Sequence, residues 1–392
     1  MVGNVNGATE ALSTIIADDE TFFPALIERA KMYLIQMKYA LAKDSAQQSF
    51  VIGRGHIEAL RVLTLILFLT NDNGAQRLEH LEQLSSKLNG EALPKIERKL
   101  EVTKLFSRLC GNDKAVLEIT TQLVSEACDI ELDNWESRME FARQLRRLGR
   151  YDEALCQYQF ASNLDQGNTD TLEGMILCQV LSGALEEAKQ QIEFLELVQD
   201  EESVNEEMLF VQLLINDGAK TTDVVRLTRN LVLHFSGIIQ NTSFEYSSFD
   251  LGMVFDVAMH FISTYQFCKE SLMDDAEDAH VELSNEVCDL LHHVTKRYPS
   301  DGTALALVAK VKYEMKDFSA AETMFQPNVN TCAPNALLTV IDAQIKLSMN
   351  NISASRQSLE QALSQEFAIQ RDPLYRLVKG SLHANEVRPF FV

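Results

Sequence analysis

Cys288, His292 and His293 come closest in this chain to a metal-ligand spacing, since residues four apart share one face of a helix. No further ligand set accompanies them, so they read as a core cysteine beside surface histidines. "GRGHIEA" at Gly53 lacks the preceding strand and the third glycine of a dinucleotide loop, and neither a GK[ST] phosphate loop nor an HExxH pair occurs. The chain is therefore read as a non-enzyme with no cofactor and no metal. Trp135, the sole tryptophan, stands just before a helical pattern, where such a residue packs on the first turns or anchors a partner. What remains is electrostatic. Arg143, Arg146, Arg147 and Arg150 form a basic island in a chain of net charge −22. Their plain role is pairing with nearby acids, and their functional role is a partner-binding surface.

A field of that sign repels phosphate backbones, so protein partners are expected and nucleic acid is not. The seven cysteines are odd in number, form no CxxC pair and fall mostly on apolar faces, as reduced cysteines do. No basic segment precedes the first apolar residues, and the most apolar run, Val62–Leu69, is eight residues long where a span needs about twenty. A soluble, intracellular protein without membrane insertion is expected.

The elements that carry the arginines follow a period. Gly and Pro are sparse, at 16 and 7, while Leu, Ala, Glu, Gln and Lys recur throughout, which predicts an all-α chain. A step of 34 residues takes Gly149 to Gly183, Tyr151 to Leu185, Ala154 to Ala188 and Tyr158 to Ile192. The same step takes Ala309 to Ala343, Phe318 to Ile352, Ala321 to Ser355 and Phe325 to Leu359, and near the start Ala8 to Ala42 and Leu26 to Leu60. Two antiparallel helices of about a dozen residues plus two short turns consume about 34 residues, with small side chains where the helices cross. Ala142 and Ala154 are read as crossing points and Gly149 as the turn between two helices.

These residues resemble the tetratricopeptide repeat, whose small–aromatic–small signature is here Ala154, Tyr158 and Ala161, although Gln166 replaces the usual proline. The resemblance implies a superhelical solenoid of antiparallel helix pairs. Residues 1–199 are read as such repeats, starting in mid-repeat because Ala8, Leu12 and Ile15 suit a second helix. Residues 301–380 are read as further repeats closing on an unpartnered first helix, "RDPLYRLVKGSLHA", and 381–392 as a non-repeat tail. Solenoids normally end on polar capping helices, so the expectation is an internal segment or truncated form of a longer array. Between residues 200 and 300 the grid fails; "QDEESVNEEM" and "DDAEDAHVE" add acidic runs, and "SGIIQNTSFEYSSFDLG" reads as a long connection. A partner groove is expected along the first helices, through Glu136, Met139, Arg143 and Arg146, then Asp170, Glu173, Leu177 and Val180. No Lys and Asn stand four apart at the groove positions where chaperone cofactors grip a terminal carboxylate.

Two segments narrow the family. In "LDQGNTDTLEGMILCQVLSGALEEAKQQIEFLELVQ", Cys178, Gln179, Gly183, Leu185 and Ala188 precede Ile192 to Leu195. Further on, "AKVKY" at Ala309–Tyr313 is followed by "PLYRLVK" at Pro373–Lys379. Both are similar, in order and separation, to the large tetratricopeptide-repeat subunit of intraflagellar transport complex A, the tetratricopeptide repeat protein 21 family. That resemblance implies a ciliary scaffold working with other complex A subunits of β-propeller and solenoid type and with ciliary cargo, in the cytoplasm, the cilium and the ciliary base. It implies retrograde transport and protein entry into cilia. The alternative is a scaffold of another assembly, of ubiquitin-ligase or vesicle-coat type.

Overall fold

A chain this rich in helix formers, with alanine at every proposed crossing, folds into helix pairs. The computed structural model describes residues 4–70, 74–90, 96–166, 168–198, 205–216, 221–241, 245–269, 274–299, 301–325 and 335–387. Among these, the regular elements are helices: α1 Val5–Asp18, α2 Phe23–Ile35, α3 Tyr39–Ile52, α4 Ile57–Thr70, α5 Gly74–Asn89, α6 Ile96–Leu109 and α7 Lys114–Ile130. Then follow α8 Trp135–Arg147, α9 Tyr151–Leu164, α10 Thr169–Ser182, α11 Leu185–Val198, α12 Glu206–Ile215, α13 Thr221–Ile239 and α14 Leu251–Lys269. The last are α15 Asp274–Arg297, α16 Gly302–Glu314, α17 Phe318–Thr323, α18 Ala336–Ser348, α19 Ile352–Gln365 and α20 Pro373–Val387. The fold is an all-α, tetratricopeptide-type solenoid of antiparallel helix pairs, grouped in two compact units, Met1–Phe68 with Gly74–Val257, and Leu69–Asn73 with Ala258–Val392.

The period is visible in the helix starts. In the first unit α2 and α4, α8 and α10, and α9 and α11 each begin 34 residues apart; in the second, α16 and α18, and α17 and α19 do so. The mapped alanines are the crossing points except Ala8, which is exposed on α1. Ala42, Ala154, Ala188, Ala309, Ala343 and Ala321 are fully buried, and so is Ser355 in its place. In the first unit the first helices form a row, α6 against α8, α8 against α10 and α10 against α12, with α9 packed on both α8 and α10. In the second unit α18 packs on α16, α17, α19 and α20.

Both kinds of turn have a residue-level cause. Within a pair, the residue two before the second helix is left-handed: Met37 (φ 55°), Gly149 (75°), Gly183 (86°), Lys316 (62°) and Asn350 (64°). The next residue's N–H reaches back five positions, as from Arg150 to Leu145, Ala184 to Gln179 and Asp317 to Lys312, which closes the orphan carbonyls of the first helix. Between pairs, an Asn or Asp side chain caps the incoming first helix, Asn134 accepting from Ser137 N at 2.8 Å, Asn168 from Asp170 N at 3.0 Å and Asn335 from Leu338 N at 2.9 Å. Lys316 is exposed and has no glycine's freedom at its turn. Lys316→Gly is expected to stabilise the second unit by about 0.5–1 kcal/mol, read as a higher unfolding midpoint, because the left-handed penalty of a side chain outweighs the extra chain entropy of glycine.

Residues 200–300 depart from the grid through longer helices rather than through loss of helix: α13 and α14 have 19 residues each and α15 has 24. The stretch expected as one long connection is shorter than its sequence suggests. Ser236–Ile239 close α13, and a 3-10 turn, Tyr246–Ser248, precedes α14. The acidic run from Asp274 lies on α15; of the other, Asn205–Met208 cap and open α12, and 199–204 lie outside the described residues. The proposed tail boundary at 381 falls within α20, which runs to Val387; residues 388–392 lie outside the described residues.

Candidate partner-binding site

In α8, Met139, Ala142 and Leu145 turn inward onto Ala154, Tyr158 and Ala161 of α9. Helical geometry then sends Glu140, Arg143, Arg146 and Arg147 toward the row of first helices. Asn134 starts this helix, and Arg146 and Arg147 occupy its last turn, where positive charge suits the helix dipole. Arg108 holds the same place in α6.

Acids from four places meet these arginines. Glu140, fully buried, accepts both terminal nitrogens of Arg108 at 3.1 and 3.0 Å, the Ser107 hydroxyl at 3.1 Å and the Gln144 amide at 2.8 Å. Arg146, only 7% exposed, donates from Nη2 to Glu207 of α12 at 2.8 Å, while Arg143 Nε stands 3.9 Å from the same oxygen. Arg147 pairs with Asp250 and donates to the Gly111 carbonyl at 2.9 Å and to Asn112 Oδ1 at 2.8 Å. Asp250 in turn caps α14 through Gly252 N at 3.0 Å and Met253 N at 3.1 Å. The guanidinium of Arg147 lies where a Cβ on residue 252 would be, so glycine there makes room for it. Arg150 stands apart, half exposed, and pairs locally with Glu153 through Nε at 2.6 Å.

The island therefore divides. Arg143, Arg146 and Arg147, together with Arg108, line a cavity of about 360 Å³ that also touches Asp170, Asn205, Glu206, Glu207, Ser248 and Asp250; Arg150 does not line it. Burial pushes the Glu207 carboxyl up, but the charges of Arg146 and Arg143 outweigh it and hold the group down at about 2. Burial likewise opposes ionisation of Glu140 and Asp250, and Arg108 and Arg147 respectively reverse it, so both are lowered. Asp256, which accepts from Asn112 at 3.1 Å, is raised by burial despite Arg147.

The sign of the pH dependence follows. Carboxyls lowered in the folded state contribute stability that is fully present above the unfolded range near pH 4 and lost as pH falls toward about 2. The first unit is expected to lose stability steeply below about pH 4.5 in thermal melts, and a Glu207→Gln variant to lose less of it over that interval.

Other sequence candidates take plain roles. Trp135 donates to Thr171 Oγ1 at 3.2 Å and packs beside the α8–α9 core. His292 and His293 each bond the carbonyl four residues back, Cys288 at 2.6 Å and Asp289 at 2.7 Å. Of the expected groove residues, Met139 and Leu177 are core and Glu173 is buried with Asn205 of the next repeat, while Glu136 is exposed and paired with Lys104. Arg108, Glu140, Glu207 and Asp250 escaped the sequence reading. A signal existed for Arg108: it precedes the left-handed Gly111 by three residues, as Arg146 precedes Gly149.

A row of first helices cross-linked by side chains, with an ion-paired recess on it, defines a helical-repeat scaffold. The family description "Tetratricopeptide repeat protein 21 second ARM domain" matches residues 80–350, and the chain belongs to the tetratricopeptide repeat protein 21 family. It is 26% identical over 383 residues to Tetratricopeptide repeat protein 21B of Homo sapiens and 23% identical over 394 residues to the human Tetratricopeptide repeat protein 21A. These alignments cover 96% and 97% of this chain and 29% of each relative, so the chain spans under a third of their length. Among solved structures, the human IFIT1 dimer with m7Gppp-AAAA aligns over 97% of this chain and 87% of its own, at a TM-score of 0.56 and 12% identity, a likeness of fold.

Proposed function

We propose that this chain serves as a non-catalytic scaffold of intraflagellar transport complex A, supporting retrograde transport and protein entry into cilia. The observation that carries the reading is family membership, with the human 21B and 21A proteins matched along almost the whole chain. Stacked helix pairs offer many partners one ordered surface and fix their spacing, and neighbour-to-neighbour packing transmits that spacing along the array. The partners are the other complex A subunits, of β-propeller and solenoid type, and ciliary cargo. The workplaces are the cytoplasm, the cilium and its base.

Partner contacts belong around Arg143, Arg146, Arg147 and Arg150. Arg146 and Arg147 are spent largely on Glu207 and Asp250 and so shape the surface, whereas Arg143 and Arg150 offer exposed guanidinium. A net charge of −22 disfavours nucleic acid as a partner. The experiment is removal of the protein from cells that build cilia. Cargo stranded at ciliary tips is expected; cilia of normal length and tip content would overturn the reading and favour a ubiquitin-ligase or vesicle-coat scaffold.

A further inference from the structure

Three of the four arginines that line the cavity of the first unit are hydrogen-bonded to a carboxylate. Glu140 is engaged by Arg108, Glu207 by Arg146 and Asp250 by Arg147. Arg143 is the fourth and the most loosely held, forming a second, longer ion pair with the Glu207 carboxylate that Arg146 already engages. Its Nε is 3.9 Å from Glu207, beyond hydrogen-bond reach, it makes no hydrogen bond among the described residues, and its side chain is 29% exposed to the cavity side of α8. Glu206 on the rim is held by His234 at 2.9 Å, and Asp170, also on the rim, is exposed and forms no ion pair with Arg143. Beside it the buried Arg146 keeps one nitrogen, Nη1, without an acceptor among the described residues.

Resting on the reading of this row as a partner surface, we infer that the cavity receives a single Asp or Glu side chain of a partner segment, with Arg143 as its anchor. A planar guanidinium with five donors and no acceptor of its own is suited to a carboxylate, and the volume of about 360 Å³ is that of a cavity that seats a side chain with its flanks. The rim sets the remainder of the partner. Asp170, Glu206 and the overall −22 charge repel a run of acids, so the residues flanking that carboxylate are neutral or basic. Arg143 is loosely held, and its replacement leaves no buried acid without its main partner, since Glu207 retains Arg146.

The test uses the 392-residue chain and two amidated peptides, one with a glutamate between two lysines and one with glutamine in its place. Binding is read from the arginine Nε–H resonances at low salt. The glutamate peptide is expected to shift the Arg143 signal and to bind about tenfold tighter than its glutamine twin, and Arg143→Gln to abolish that difference. Arg150→Gln, outside the cavity, is expected to change binding by less than about twofold. Equal binding of the twins, equal effects of the two arginine variants, or no binding up to millimolar peptide would each overturn the inference. None of these outcomes depends on which assembly the protein joins, which co-purification decides separately.

Discussion

Glu207→Ala is expected to destabilise the first unit by about 3–5 kcal/mol, seen as a fall of about 10 °C or more in its thermal midpoint. Arg146 is 7% exposed and, among the described residues, Glu207 is its one direct carboxylate partner, at 2.8 Å. Removal of that carboxylate leaves a guanidinium buried in α8 without the charge that offsets its desolvation, and also deprives Arg143 of the acid it pairs with at 3.9 Å. Because Glu207 is the second residue of α12, the pair ties the first helix of one repeat to that of the second repeat after it. Loss of protection should therefore extend to α12 in hydrogen exchange. If Glu207→Ala melts within about 1 kcal/mol of the native chain, the pair does not hold this row together.

Tyr158 gives the second large effect, with an internal control. Its ring is fully buried between α9 and α10, and a Cβ on residue 174 would sit 2.4 Å from its Cε1, so the ring lies directly on the bare backbone of Gly174. Tyr158→Ala empties that space and is expected to cost about 3–5 kcal/mol. Tyr158→Phe keeps the ring and removes a buried hydroxyl that has no hydrogen-bond partner among the described residues, so it is expected to be neutral or mildly stabilising. Chemical denaturation of the two variants separates the contributions. A phenylalanine variant as damaged as the alanine one would mean that the hydroxyl, not the ring, is what the site needs.

The repeat was legible because one physical constraint repeats it: two helices and two turns fill 34 residues, and each crossing demands a small side chain. Ala154 and Ala188, or Ala309 and Ala343, carry that constraint openly. Left-handed turns were legible at Gly149 and Gly183 but less so at Asn350 and not at Met37 or Lys316, where the same helix-closing hydrogen bond from the next residue is made without glycine's freedom. The arginines were legible as an island, and their partners were not. Glu207 and Asp250 lie 61 and 103 residues from the arginines they meet, in a stretch where longer helices break the period. Arg108 was hidden for a related reason. The 17-residue α7 pushes the spacing from Gly111 to Gly149 beyond 34, so the matching of Arg108 with Arg146 appears only when the turn glycines are aligned.

Scaffolding is a property of company, and co-purification tests it most directly. The protein, tagged and recovered from cells that build cilia, is expected to bring down the β-propeller and solenoid subunits of intraflagellar transport complex A in constant proportion. Recovery of ubiquitin-ligase or vesicle-coat subunits in their place would contradict the account.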